Sequence, residues 1–254
     1  MTAAPGFIDA YQRVQRRGKE CAELLGPGLT LPDVTDLDAY NVIHTETPAG
    51  APMGKANFIL VHKSTKIGKM VRFKFVGTHN VVVIGQEVDL GSMSISCFGK
   101  FGIVIIGDHC GFKTTRIALK HRAGSAVIGQ GTSWVGGSIV VSEDDNQVVV
   151  GDECLFSWDL EIMPTDGHPI YDRKTGDRVN AAKPIFIGPR TWLGRGASIS
   201  KGVRIARGSI IGQGSLVTKN TEEFCAYGGV PAKLLRRDVE WRRSFKEPFV
   251  PTED

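Results

Sequence analysis

The sequence predicts an all-β protein: a three-sided parallel β-helix with an N-terminal helical and mixed region and a short C-terminal helix. Two periodicities and the composition predict it. Ile187, Leu193, Ile199, Ile205, Ile211 and Val217 are aliphatic and spaced six apart, and four of them precede Gly or Ala (Gly188, Gly194, Ala206, Gly212). That period fits neither an amphipathic helix nor an isolated alternating strand. It fits a chain that turns a corner after each very short strand and aims one apolar side chain inward per strand, as a hexapeptide solenoid does. A second, longer period lies upstream. Ile84, Ile106, Ile128 and Val150 are 22 apart, and so are Leu90, Phe112, Trp134 and Phe156. The chain has 31 glycines and only 8% aromatic residues, as a narrow prism with frequent corners requires.

The elements follow in chain order. Residues 7–25 (FIDAYQRVQRRGKECAELL) are predicted helical, with Gly26-Pro27-Gly28 as the stop. Residues 30–80 mix short β-like runs (Ala56–His62, Met70–Val76) with Gly and Pro, and 1–75 is taken as a separate N-terminal region. The solenoid is expected over 76–220. Three sides of six residues need eighteen, so a spacing of 22 is one coil plus four residues at a corner. Two such insertions are expected near 120–124 (KHRAG) and 142–146 (SEDDN). Val150 and Ile187 are 37 apart, so a long loop over about 163–183 leaves the coil there. After Ile187 the period shortens to 18. Residues 221–254 form a C-terminal segment in which LLRRDVEWRRSFKEP is predicted to be a short basic helix ending near Pro248.

Composition narrows the function. A formal charge of +4 with both signs interspersed does not argue for nucleic acid. The five cysteines (Cys21, Cys97, Cys110, Cys154, Cys225) are odd in number and lack CxxC spacing. Cys110 and Cys154 share one coil offset, which predicts small core residues and a reducing compartment. The N-terminus MTAAPGFIDAYQ does not resemble a signal peptide, and no apolar run approaches the length of a membrane span. A soluble cytoplasmic protein is therefore expected.

The chemistry is expected in the long loop, MPTDGHPIYDRKTGDRVNAAKP, since loops leaving a rigid scaffold concentrate functional residues. It holds one histidine, His168, between Gly167 and Pro169, which stiffen and expose it. A histidine titrating near neutrality is a natural base for taking a proton from an alcohol or amine. Asp166 and Asp172 lie close by; each could orient His168 or bind an acceptor hydroxyl, or could simply form an Asx turn.

The segment 184–219, the triplet GHP at 167–169, TWLG at 191–194, LVTKN at 216–220 and GGVPAKLLR at 228–236 together resemble the left-handed β-helix acyltransferases. The DGHPIYD loop is most similar to bacterial polysaccharide and capsule O-acetyltransferases. The clear resemblance covers about residues 150–236. It implies a left-handed prism, a homotrimer with sites between subunits, and acetyl-CoA as acyl donor with no metal. It further implies that His168 is the catalytic base and that Trp192 lies at the acceptor and thioester end of the cleft. Thr218 and Lys219 would contact CoA, and Lys233 and Arg236 would lie beside its phosphates, where cations suit the charge. Arg195 and Gln213 stand where the family has small Ser or Ala beside the pantetheine arm. Either they point away and the groove survives, or they fill it.

Acetyl transfer to a sugar or polysaccharide hydroxyl is the leading expectation. The alternatives are N-acetylation of a nucleotide-linked amino sugar and a non-catalytic solenoid used for assembly or recognition. A zinc γ-type carbonic anhydrase site would need three converging histidines. His79, His109 and His121 lie near the coils but lack the close spacing of such a site, and His109 precedes an inward Cys110, so it is expected to face out.

Overall fold

Strands this short satisfy few backbone groups alone, so each coil must find its hydrogen bonds in the coils above and below it. The computed structural model of the chain describes residues 6–45 and 57–246. On the first face of the prism, strands Asn57–His62, Val81–Ile84, Ile103–Ile106, Ser125–Ile128, Gln147–Val150, Ile185–Ile187 and Arg204–Ile205 stack in parallel. Tyr40–Thr45 closes that sheet by pairing antiparallel with Asn57–His62. The parallel ladder thus begins at Asn57 rather than 76. Lys66–Ile67 and Arg72–Phe75 complete a first coil that pairs with Asp89–Cys97.

In the upper coils single strands of nine residues (Asp89–Cys97, Gly111–Leu119, Ser133–Val141) run across both the second and third faces. Ser133–Val141 then pairs with two separate strands, Leu155–Phe156 and Leu160–Ile162. From there each face carries its own short strand: Trp192–Leu193 and Ile210–Ile211 on the second, Ser198–Ile199 and Leu216–Val217 on the third. The expected insertions at 120–124 and 142–146 are turns at the third corner, and the long loop leaves from that same corner after Ile162.

The six aliphatic residues spaced six apart, Ile187 to Val217, all face the prism interior and are buried, as are the two upstream series. Cys110 and Cys154 occupy a column of small buried residues that continues through Thr191 and Ser209. All five cysteines are free and buried, and burial pushes the Cys110 and Cys154 thiols up to about 12. The N-terminal helix Phe7–Leu25 lies on the outside of the first face. Its Phe7, Ala10, Val14 and Cys21 cover Val81, Val83, Ile105 and Val127. This cover explains why the first-face strands read as unbroken apolar runs: both of their surfaces are buried. Among the described residues no helix is long and apolar enough to cross a membrane.

The C-terminal helix is a correction. Lys233–Arg236 is a strand that folds back on Ala226–Gly228 through the turn at 229–232. Residues 237–246 then follow the prism surface without helix, and the segment around Pro248 lies outside the described residues. Side chains bonded to the coils, rather than to the next helical turn, fix this path. Trp241 Nε1 donates to the Arg190 carbonyl at 2.7 Å, and Arg243 donates to the Gly131 carbonyl at 2.7 Å.

Candidate active site

The loop after Ile162 is a braced hairpin. Pro164 accepts at its carbonyl from Lys183 N–H (3.1 Å) and from Asn146 Nδ2 (2.9 Å), which closes the loop neck onto the corner above. Val179 N–H donates to the Ile170 carbonyl at 2.9 Å. One side chain ties the His168 segment together. Asn180 is buried; its Nδ2 donates to the His168 carbonyl (2.8 Å) and to Asp166 Oδ2 (2.9 Å), and its Oδ1 accepts from Ile170 N–H (2.6 Å). Lys201, at the same corner one coil below, donates from Nζ to the Asp166 carboxylate and to the Asn180 carbonyl. Above the loop, Glu143 of the 142–146 turn receives a forked pair of bonds from Arg178, both 2.7 Å, and a third from Thr165 Oγ1 at 3.0 Å.

His168 itself is exposed, and Gly167 before it holds φ at 84° with open space where a Cβ would stand. Among the described residues its ring has no hydrogen-bond partner. An imidazole on a fixed backbone with both nitrogens free can accept a proton from a group brought to it. Asp166 does not bond that ring. Lys201, then Asn180, holds its carboxyl below the ordinary value, so it is an ionised brace for the loop backbone. Asp172 accepts from Thr175 N–H (2.9 Å) and Lys174 N–H (2.8 Å), and those bonds lower its carboxyl as well. It makes an Asx turn, the simplest of the readings its sequence position allows.

Trp192, Arg195 and Gln213 come together at the second corner. With Trp158, Gly194 and Ile210 they line a cleft of about 420 Å³. Trp192 is 39% exposed and tilts against Trp241, with ring centroids 6.4 Å apart. Arg195 does not fill the cleft. Its Nε pairs with Asp159 Oδ2 at 3.1 Å, and its guanidinium lies 5.6 Å from the Trp158 ring centroid. The C-terminal hairpin seals the lower end: Gly212 N–H donates to the Tyr227 carbonyl at 2.7 Å. Lys233 and Arg236 are exposed on that hairpin, and Thr218 and Lys219 are exposed at the third corner, two coils below the loop. His168 and the Trp192 cleft therefore occupy different corners of one prism.

No family model matches the chain. Over 129 residues it is 41% identical to a polysialic acid O-acetyltransferase of Escherichia coli O1:K1, a stretch covering 51% of this chain and 42% of that protein. A polysialic acid O-acetyltransferase of Neisseria meningitidis is 30% identical over 136 residues, 54% of this chain and 62% of that one. The chain thus spans roughly half the length of the curated relatives it matches. The crystal structure of the polySia-specific acetyltransferase NeuO superposes with a TM-score of 0.68 at 31% identity, covering 76% of this chain and 81% of that chain. The chain belongs to the left-handed β-helix acyltransferases.

Within that family architecture, several contributors were not legible in the sequence. Asn180, Lys201, Arg178 and Glu143 brace the loop from three different coils, and only the solenoid offset relates them. Glu143 stood in an acidic run that reads as a solvated corner. Lys201 did carry a signal, since it is two residues after the inward Ile199, where side chains must turn out at the third corner. Trp158 lines the cleft with Trp192, and Trp241 lies against the Trp192 ring. Of the histidines weighed for zinc, His109 faces out as expected and pairs with Glu87 at 3.1 Å, whereas His79 stacks on Phe101 at the third corner.

Proposed function

We propose that this protein transfers an acetyl group from acetyl-CoA to a hydroxyl of a polysaccharide, with His168 as the general base. The observation that carries this reading is an exposed His168 on a braced, solenoid-borne loop, in a chain resembling enzymes named for polysialic acid O-acetylation. His168 takes the proton of the acceptor hydroxyl while that oxygen attacks the thioester carbonyl. The tetrahedral oxyanion collapses, the C–S bond breaks, and the proton passes from the imidazolium to the departing CoA thiolate. A backbone N–H is the natural donor to the oxyanion in such a site. Asn180 and Asp166 act as positioning residues.

The cleft at the second corner is assigned to the acyl donor. Trp192 and Trp158 supply apolar walls for the pantetheine arm, with Arg195 drawn aside onto Asp159. Lys233 and Arg236 meet the phosphates, and Thr218 and Lys219 contact CoA from a neighbouring chain's third corner. Because His168 and this cleft lie on different corners, the reading requires two chains per site, which a homotrimer supplies three times. The five unpaired cysteines suit a reducing, cytoplasmic setting.

The test is CoA release from acetyl-CoA against sialic acid oligomers, neutral oligosaccharides and nucleotide-linked amino sugars. Wild type should release CoA with an oligosaccharide acceptor, and His168→Ala should lose at least ~10²-fold. An unchanged rate in the variant rules out His168 as the base. Release with amino sugars alone moves the reading to N-acetylation, and the absence of release with every acceptor, together with no CoA binding, leaves a non-catalytic solenoid.

A further inference from the structure

Charge is distributed unevenly along the prism. Residues 57–122, the first three coils, hold ten Lys and Arg against three Asp and Glu, a formal +7. The whole chain is +4, so the remaining residues sum to −3. The small overall charge conceals this polarity.

The third face gathers much of it. On strand Arg72–Phe75 the burial alternates, Phe73 and Phe75 packing on the core while Arg72 and Lys74 point out and are exposed. Arg72 is in register with Ser94, and Ser94 with Arg116, so the two guanidinium-bearing positions stand two strands apart, roughly 10 Å. Lys74 lies over the Phe98 ring at 5.6 Å, and Lys100 and Lys120 flank it, exposed, on the turns of the third corner. Among the described residues none of Arg72, Lys74, Lys100, Arg116 and Lys120 forms an ion pair. The outward positions between them are hydroxyls, Ser94 and Ser96, and the column continues through Ser138 before its first carboxylate, Glu161. The acidic turn below is already matched, Asp145 by Arg122 and Glu143 by Arg178.

We propose that the third face of the first three coils is a docking track for a polyanionic polysaccharide. It would deliver that chain to the loop bearing His168, which leaves from the same corner further down the prism. This rests on the polysaccharide acceptor proposed above and specifies its charge. Unpaired guanidinium groups suit carboxylates borne at intervals along a polymer, and the serine hydroxyls suit the neutral sugar edges between them. The face cannot be buried against copies of itself, because like charges without counter-anions are costly to desolvate.

The experiment measures binding of fluorescently labelled sialic acid oligomers of increasing length to the full chain, without acetyl-CoA, at low and at physiological ionic strength. Affinity should rise with oligomer length and fall with salt, as exposed charges are screened. The triple variant Arg72→Ser, Lys74→Ser, Arg116→Ser should bind at least roughly tenfold more weakly, the scale of three exposed charge pairs lost. Arg116→Glu, a single surface change, should show the same direction with an unchanged melting temperature. Wild-type affinity in both variants, or equal binding of neutral dextran, overturns the proposal. Tighter binding of single-stranded DNA of equal charge would assign the face to nucleic acid instead. Binding that behaves as expected in a chain that transfers no acetyl group sinks the enzymatic reading alone.

Discussion

The coils above Val150 and those below Ile187 close the same three-sided figure with different lengths of chain. The three coils between Ile84 and Val150 each use 22 residues and nine-residue strands that bend across two faces; below Ile187 a coil uses 18 and strands of two or three residues. One core column shows the consequence. It runs Leu90, Phe112, Trp134, Phe156, Leu193, Ile211 and Tyr227, all buried, with three successive aromatics in the middle of the prism. A longer perimeter gives room for a wider section, and at Phe112 and Trp134 native packing density fills it with aromatic side chains. Outside the core the halves divide the work. Upper coils carry the helix on one face, cations on another and the turn that grips the loop, while lower coils shape the cleft.

The largest expected effect tests whether the aromatics fill a wider section. Trp134 is 1% exposed, packs edge-on to Phe156 at 5.4 Å and donates from Nε1 to the Gly136 carbonyl at 2.8 Å. Trp134→Ala should cost about 3–5 kcal/mol in urea unfolding, and Leu193→Ala should fall toward the lower end of about 2–5 kcal/mol. If Leu193→Ala costs as much as Trp134→Ala, the two sections are equally tight and the perimeter argument fails.

A smaller effect separates the two ways of turning a corner. Gly137 bends a continuous strand between the second and third faces at φ 140°, and a Cβ there would stand 2.4 Å from the Leu160 carbonyl oxygen. Gly214, in a lower-coil turn, has φ 67° and nothing within 4 Å of its Cβ position. Gly214→Ala should therefore cost only the left-handed backbone penalty, about 1–2 kcal/mol. Gly137→Ala should cost more, since the backbone of the adjoining strand must move. Equal melting temperatures for the two variants would show that the upper bend is no more constrained than a lower turn.

This contrast also separates what was legible in the sequence from what was not. Inward positions repeat, so Ile84, Ile187 and their equivalents disclose the coil, its two lengths and the point where the loop departs. Outward positions do not repeat, and their partners come from neighbouring coils. Glu143 and Arg178 are 35 residues apart and Lys201 is 35 from Asp166, separations that no local pattern relates. The first coil escaped notice because Lys66–Ile67 is a two-residue strand with no inward repeat of its own. The basic tail failed as a helix because helical spacing cannot register bonds to a distant scaffold, such as those of Trp241 and Arg243. Gly167 and Pro169 mark His168 locally, and its proposed role rests on the family resemblance.

The smallest expected effect tests the corner insertion as the anchor of the loop. Glu143 and Arg178 are partly exposed, so Glu143→Gln should shift the melting temperature little. Limited proteolysis within 163–183 should nonetheless accelerate, and acetyl transfer should fall severalfold as His168 loses its fixed backbone. The pH dependence follows from the forked bond. Arg178 first, and then Thr165, holds the Glu143 carboxyl below its ordinary 4.5. A folded value below the unfolded one means the anchor is fully present above the ordinary value and is lost as pH falls through the depressed one. Protease protection of the loop should accordingly stay flat from neutrality to about pH 4.5 and decline only below it. In Arg178→Ala protection should already be low at neutrality and change much less as pH falls. Protection that instead falls near the ordinary histidine value, about 6.5, would mean that an imidazole holds the loop and that the upper coils do not reach down to grip it.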